Sequence, residues 1–190
     1  HVPGDISSAA FLLALAALGG TAAGSVEIGR VGLNPTRTAF LDVIQRMGAE
    51  ITIETDGDHD ENGESSGTVS AKASALTGTQ VRAEEVPRMI DELPLVAVLG
   101  AHAAGETSIR GAQELRAKES DRIDAMVQNL RALGVDVEEH EDGLTVRGSE
   151  RPLEGDVQAF GDHRIAMAFG VLGAIPGNRI KIDDPGASGV

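Results

Sequence analysis

The chain has no cysteine, tryptophan or tyrosine and only four phenylalanines among its 190 residues. Without cysteine, disulfides, thiol nucleophiles and cysteine-ligated metals are excluded. With so few rings the core must be aliphatic, and stacking of bases or sugars on aromatic side chains is not the expected recognition mode. Positive charge is also scarce. A formal net charge of −14 leaves no excess of cations to displace counterions, so neither nucleic acid nor an anionic membrane is an expected partner. Long apolar runs are missing too. Ala9 to Leu18 is too short to span a bilayer, and no charged n-region precedes an apolar stretch at the start. The five histidines are scattered without HxxxH or HxH spacing, and no Walker A or GxGxxG motif occurs. No metal and no cofactor is expected. A soluble, cytoplasmic protein is expected, and a chain that opens mid-element and stops after Gly189-Val190 reads as part of something longer.

What is present is repetition. Leu18-Gly19-Gly20-Thr21-Ala22-Ala23-Gly24 recurs as Leu99-Gly100-Ala101-His102-Ala103-Ala104-Gly105. Each copy follows an apolar helix-like run and precedes an alternating strand, Ser25 to Ile28 or Thr107 to Arg110. Met47-Gly48-Ala49 then answers to Leu133-Gly134-Val135, and Leu172-Gly173-Ala174 begins a weaker third copy before the strand Arg179 to Ile182. The spacing exceeds solenoid periods, so it predicts a triplicated β/α unit, at roughly 5–75, 76–148 and 149–190, within one domain. Phe40, Leu41, Ile44 and Met47 fall at helical spacing after Asn34 as cap and Pro35 at the first helical position. Ile123, Met126, Leu130 and Leu133 do the same after Lys118-Glu119-Ser120, with Gly48 and Gly134 as helix stops. Val137 to Glu139 and Leu144 to Arg147 read as a hairpin about Glu141-Asp142-Gly143. Asp56 to Gly67, acidic and rich in Gly and Ser, reads as a solvated loop without chemistry. Three helices, Ala9 to Leu18, Leu93 to Leu99 and Ile165 to Leu172, are apolar nearly all round and belong at the centre. The class is α/β.

Three helix starts carry an arginine in the first turn, where the positive end of the helix disfavours one: Arg37, Arg122 and Arg164. Exposed N–H donors beside a guanidinium suit a phosphate or carboxylate ligand. For Lys118-Glu119-Ser120-Asp121-Arg122, a well-capped helix accounts for the pattern equally well. Glu119 and Arg122 lie one turn apart on one face, so both can address one ligand, with Lys118 as a second cation. In Gly161-Asp162-His163-Arg164, Asp162 reads as the cap. A hydrogen-bonded histidine and a salt bridge from Arg164 to Asp162 or to a neighbouring unit are the plain readings. Asp91 could simply cap the middle apolar helix. In the repeat it occupies nearly the place of His163 and Arg164. Asp91 and Glu119 near two arginines and a lysine would form an acid/base pair beside an anion clamp. For Arg37 a salt bridge or surface charge is the favoured reading.

Pro3-Gly4-Asp5-Ile6-Ser7-Ser8-Ala9, Asp91-Glu92-Leu93-Pro94, Leu115 to Arg122 and Gly161 to Met167 closely resemble the 5-enolpyruvylshikimate-3-phosphate synthase family, in its order and across nearly the whole chain. The resemblance implies an enolpyruvyl transferase joining phosphoenolpyruvate to shikimate 3-phosphate on the route to chorismate. It implies a fold of two similar domains, each of three βαβαββ units, an inside-out barrel, with the active site between them. This chain corresponds to most of the second domain. By position, Asp91 matches the family's proton acceptor and a shikimate contact, and Glu119 matches its proton donor. Lys118 matches a shikimate 3-phosphate contact, Arg122 and Arg164 match phosphoenolpyruvate ligands, and His163 lies beside them. The first domain is lacking, with its catalytic lysine and most contacts to the shikimate phosphate. Also lacking is a phosphoenolpyruvate-binding lysine placed after Val190. This piece alone is therefore expected to be inactive. Two alternatives stand beside this reading: a non-catalytic binding or assembly domain on the same scaffold, and a UDP-N-acetylglucosamine enolpyruvyl transferase. The first is discriminated by whether Asp91, Glu119, Arg122 and Arg164 converge on one face.

Overall fold

The computed structural model describes residues 2–21, 24–56 and 65–184. Most of the acidic stretch read as a solvated loop (57–64) lies outside them, as do Ala22-Ala23 of the first repeat. Nine strands and five α-helices follow one another among the described residues. The first group is α1 (Ile6–Ala17), β1 (Ser25–Gly32), α2 (Ala39–Arg46), β2 (Glu50–Thr55) and β3 (Ser66–Lys72). Next come β4 (Gln80–Val81), α3 (Leu93–His102), β5 (Glu106–Ile109), α4 (Arg122–Ala132), β6 (Asp136–His140) and β7 (Gly143–Arg147). The last are β8 (Glu154–Val157), α5 (His163–Gly173) and β9 (Arg179–Ile182). From β4 to β7 the order is thus β, α, β, α, β, β. Single 3-10 turns occur at Val86–Arg88 and Gln113–Ala117.

Three sheets result, ordered β1-β3-β2, β4-β5-β7-β6 and β8-β9. Each apolar helix is flanked by strand pairing that runs parallel: β4 with β5, β8 with β9, and a lone bridge from Gly4 to Val31 in the first group. The helices α1, α3 and α5 pack against one another. From Leu93 to Ala101 every residue of α3 is buried. Such a helix has no polar face to give water, so the centre is the one place it can be stable. Gly100 permits a close approach of α3 to β5 and β7, because a Cβ there would stand 2.7 Å from Thr107 Cβ and 2.8 Å from Val146 Cγ1. The helices α2 and α4 end at Gly48 and Gly134, both left-handed (φ +96° and +76°), as the repeat predicts. The hairpin of β6 and β7 closes through Glu141-Asp142, with His140 opposite Gly143.

Two helix starts differ from expectation. Asn34-Pro35 does not begin α2; the Asn34 side chain accepts from the Thr36 amide and hydroxyl, forming an Asx turn. The helix starts only after Thr38, so Arg37 precedes it and hydrogen-bonds Ser7 Oγ at 2.9 Å. Likewise Glu92, not Asp91, is the residue before α3, and its side chain makes no capping bond. Among the described residues, no helix is long and apolar enough to cross a membrane.

Candidate active site

The starts of α3, α4 and α5 meet, and Arg122 lies where they do. Asp121 caps α4 by accepting from the Asp124 amide, which fixes Arg122 as its first residue. Asp162 caps α5 by accepting from the Arg164 amide. Arg122 Nε then donates to Asp162 Oδ2 at 2.8 Å across 40 residues of sequence. Its Nη1 donates to Asp91 Oδ1 at 3.1 Å and its Nη2 to Glu119 Oε2 at 2.5 Å. One planar guanidinium therefore holds three carboxylates, from three different elements, in fixed relation.

Burial divides this set. The Arg122 side chain is 1 % exposed and Asp162 0 %, whereas Asp91 is 27 % and Glu119 52 % exposed. Asp162 and Arg122 form the buried base, and Asp91 and Glu119 present carboxylate oxygens outward. Burial disfavours the Asp162 charge, but the hydrogen bond and charge of Arg122, the Arg164 amide and the Ser120 hydroxyl outweigh it and hold its carboxyl below the usual range. The same network outweighs burial at Arg122 and keeps it firmly cationic. Arg164 stands at the rim, 17 % exposed, with Nη2 at a loose 3.7 Å from Asp91 Oδ2 and Nη1 3.4 Å from the Asp91 carbonyl.

Asp91, Glu119, Arg122 and Arg164 are thus brought together. Two of the expected members stand differently. Arg122 does not offer a free guanidinium, since its nitrogens are occupied by carboxylates and its side chain is sealed from solvent. Of the acids it holds, Asp91 and Glu119 are the solvent-accessible members. Lys118 donates to Glu114 at 3.1 Å, a bond within its own turn. His163 is the first residue of α5 and is half-buried. Of the two partners expected for an Arg164 salt bridge, it is the neighbouring unit that supplies one, Asp91, and not Asp162. Asp162 takes the Arg122 side chain and only the backbone amide of Arg164.

Sequence reasoning missed Arg116. Its guanidinium donates to Asp121, Glu139 and the carbonyls of His140 and Glu141, tying the 118–121 loop to the tip of β6. The one available signal was an arginine five residues before the α4 cap. Glu92 was missed as well, although an acid directly before an all-apolar helix is a local warning of a buried carboxyl.

The 3-phosphoshikimate 1-carboxyvinyltransferase (EPSP synthase) family model matches residues 1–190. The chain belongs to the EPSP synthase family. A 3-phosphoshikimate 1-carboxyvinyltransferase of Pelobacter propionicus is 44 % identical over 184 residues, covering 97 % of this chain and 42 % of that protein. One from Thermotoga sp. (strain RQ2) is 47 % identical over 184 residues, with 96 % and 42 % covered. An EPSP synthase structure from Acinetobacter baumannii superposes with a TM-score of 0.88 at 36 % identity, over 98 % of this chain and 44 % of its own. The enolpyruvyl transferase NikO of Streptomyces tendae shares the fold, with a TM-score of 0.65 at 22 % identity, over 96 % of this chain and 39 % of its own. The chain spans about 42 % of the length of the curated relatives.

Proposed function

We propose that this chain is the half of an EPSP synthase that contributes the acid/base pair and one cation of an anion clamp. The complete protein would transfer the enolpyruvyl group of phosphoenolpyruvate to the 5-hydroxyl of shikimate 3-phosphate and release phosphate, in the cytoplasm. The observation that carries this reading is the gathering of Asp91 and Glu119 on the two outer nitrogens of one buried guanidinium. On a merely structural scaffold these acids would scatter into separate surface pairs.

The addition needs two opposite proton transfers. The methylene carbon of phosphoenolpyruvate must gain a proton as the shikimate hydroxyl adds to the neighbouring carbon and loses its own; the new methyl then gives a proton back as the C–O bond to phosphate breaks. In this reading Glu119, the more exposed acid, takes up a proton and delivers the first, and Asp91 accepts the second. Arg122 fixes their spacing without touching substrate, since catalysis of this kind depends on groups set before the ligand arrives. Arg164 is the accessible cation for the phosphate or carboxylate of phosphoenolpyruvate. Lys118 would have to exchange Glu114 for the shikimate ligand.

Charge explains why half a site is not enough. Two guanidinium groups face three carboxylates here, so the cluster does not by itself attract a multiply charged anion. Further cations must come from elsewhere in the complete protein. The test is phosphate release from both substrates. The complete protein should turn over, this chain alone should not, and Asp91→Asn or Glu119→Gln in the complete protein should each cost about 10²-fold or more. Full activity in both variants would overturn the reading.

A further inference from the structure

Glu92 is a second kind of acid at the same site. It is 1 % exposed, and neither of its carboxyl oxygens has a hydrogen-bond partner among the described residues. Its peptide link to Asp91 is the one whose carbonyl receives the Arg164 side chain. From the first group, Ser7, itself 2 % exposed, and Arg37, bonded to it, act on the same carboxyl. The charged groups acting on Glu92 are therefore Arg164 on α5, Arg37 before α2, and its own neighbour Asp91.

An ionised carboxyl in this place would ordinarily close a salt bridge with one of the arginines. It does not, and an unpaired buried carboxylate is far too costly to persist. We propose that Glu92 serves this site as a neutral carboxylic acid, a positioning residue that adds no further negative charge beside Arg164 and Arg37 where an anionic ligand would bind. Burial pushes its carboxyl up, outweighing the opposing pull of Ser7, Arg164 and Arg37 and reinforced by Asp91. The consequence is large because cations are already short at the cluster. A fourth ionised carboxyl would compete directly with the ligand for Arg164. This inference rests on the enolpyruvyl transferase reading, which names phosphoenolpyruvate as the ligand.

The test compares the complete protein with its Glu92→Gln variant, in which the amide imitates the protonated acid. The sign follows from a native-state carboxyl raised above its unfolded value. Its contribution is fully present below the unfolded pKa and is lost as pH rises through the native one. Wild-type stability in urea should therefore decline relative to Glu92→Gln as pH increases from 4 to 9. Parallel curves would overturn the proposal. Carbon-13 detection of the Glu92 carboxyl in the unsubstituted protein reads the same state if the variant folds poorly; titration in the ordinary glutamate range would overturn it.

The functional arm measures phosphoenolpyruvate affinity with shikimate 3-phosphate present. At the acidic end of the range the two proteins should agree. As Glu92 ionises, the wild type should weaken by about tenfold or more relative to Glu92→Gln, as expected for a charge a few ångströms from the ligand's cation. A variant that binds at least about tenfold more weakly at every pH would show that the negative charge itself is needed, and would overturn the role. No binding to the unsubstituted protein at any pH would count against the transferase reading, and with it the role, even with diverging stability curves.

Discussion

Replacing Arg122 by methionine probes the base of the site without touching its surface. Asp162, 0 % exposed, would keep only Ser120 Oγ and the Arg164 amide as donors and would lose its countercharge. Removing one member of such a buried pair costs about 3–5 kcal/mol. The links to Asp91 and Glu119 add little, because exposed pairs contribute about 0–1 kcal/mol each. Against a total stability of about 5–15 kcal/mol, the loss is a large fraction. It should appear at pH 7 as a lower urea midpoint with unchanged slope. The double variant Arg122→Met with Asp162→Asn should recover most of it, since neither charge is then stranded. The pH dependence gives a second check. In the wild type the depressed Asp162 carboxyl contributes stability above its unfolded pKa of about 3.9 and loses it on acidification. In Arg122→Met the stranded carboxyl is raised instead, so the variant gains on acidification and the two curves converge toward pH 4. A single variant losing less than about 1 kcal/mol, or a double variant no better than the single, would refute this account of Arg122.

Other positions give independent outcomes. Gly100→Ala should destabilise by about 1–3 kcal/mol in thermal unfolding despite better helix propensity, because the new methyl meets Thr107 and Val146 below 3 Å. Leu13→Ala, at 0 % exposure on α1, should cost about 2–5 kcal/mol in the same assay, and Leu12→Ala, at 49 %, far less. Arg116→Ala frees the loop that carries Lys118 and Glu119. In the complete protein it should lower kcat about tenfold or more, and hydrogen exchange should rise at 113–121. Unchanged exchange there would contradict the tethering.

How much of this was readable in the sequence depended on the range of the interaction. The three central helices announce themselves by lacking a polar face, and the positions of Gly48 and Gly134 follow from backbone geometry that few other residues accept. The hairpin at Glu141-Asp142 is equally local. Asn34-Pro35 misled because an asparagine can satisfy an Asx turn or a helix with the same side chain, and only the chain beyond decides which. First-turn arginines, the one-turn spacing of Glu119 and Arg122 and the repeat position of Asp91 together pointed to the four residues that meet here. They could not show that Arg122 would be sealed beneath the acids, because its decisive partner, Asp162, is 40 residues away and read as a cap. Asp162 is both: its two oxygens serve the α5 amide and the Arg122 guanidinium.

In the proposed function Asp91, Glu119 and Arg164 together meet an enol phosphate. The most direct measurement follows the nitrogen-15 side-chain signals of Arg164 and Arg46 in the complete protein as phosphoenolpyruvate is added over shikimate 3-phosphate. Arg46 is held by Glu85 in a separate pair and serves as the control. The account predicts a saturable shift at Arg164 and none at Arg46. Saturation of phosphate release with the Arg164 signal unmoved would place the ligand elsewhere and contradict it.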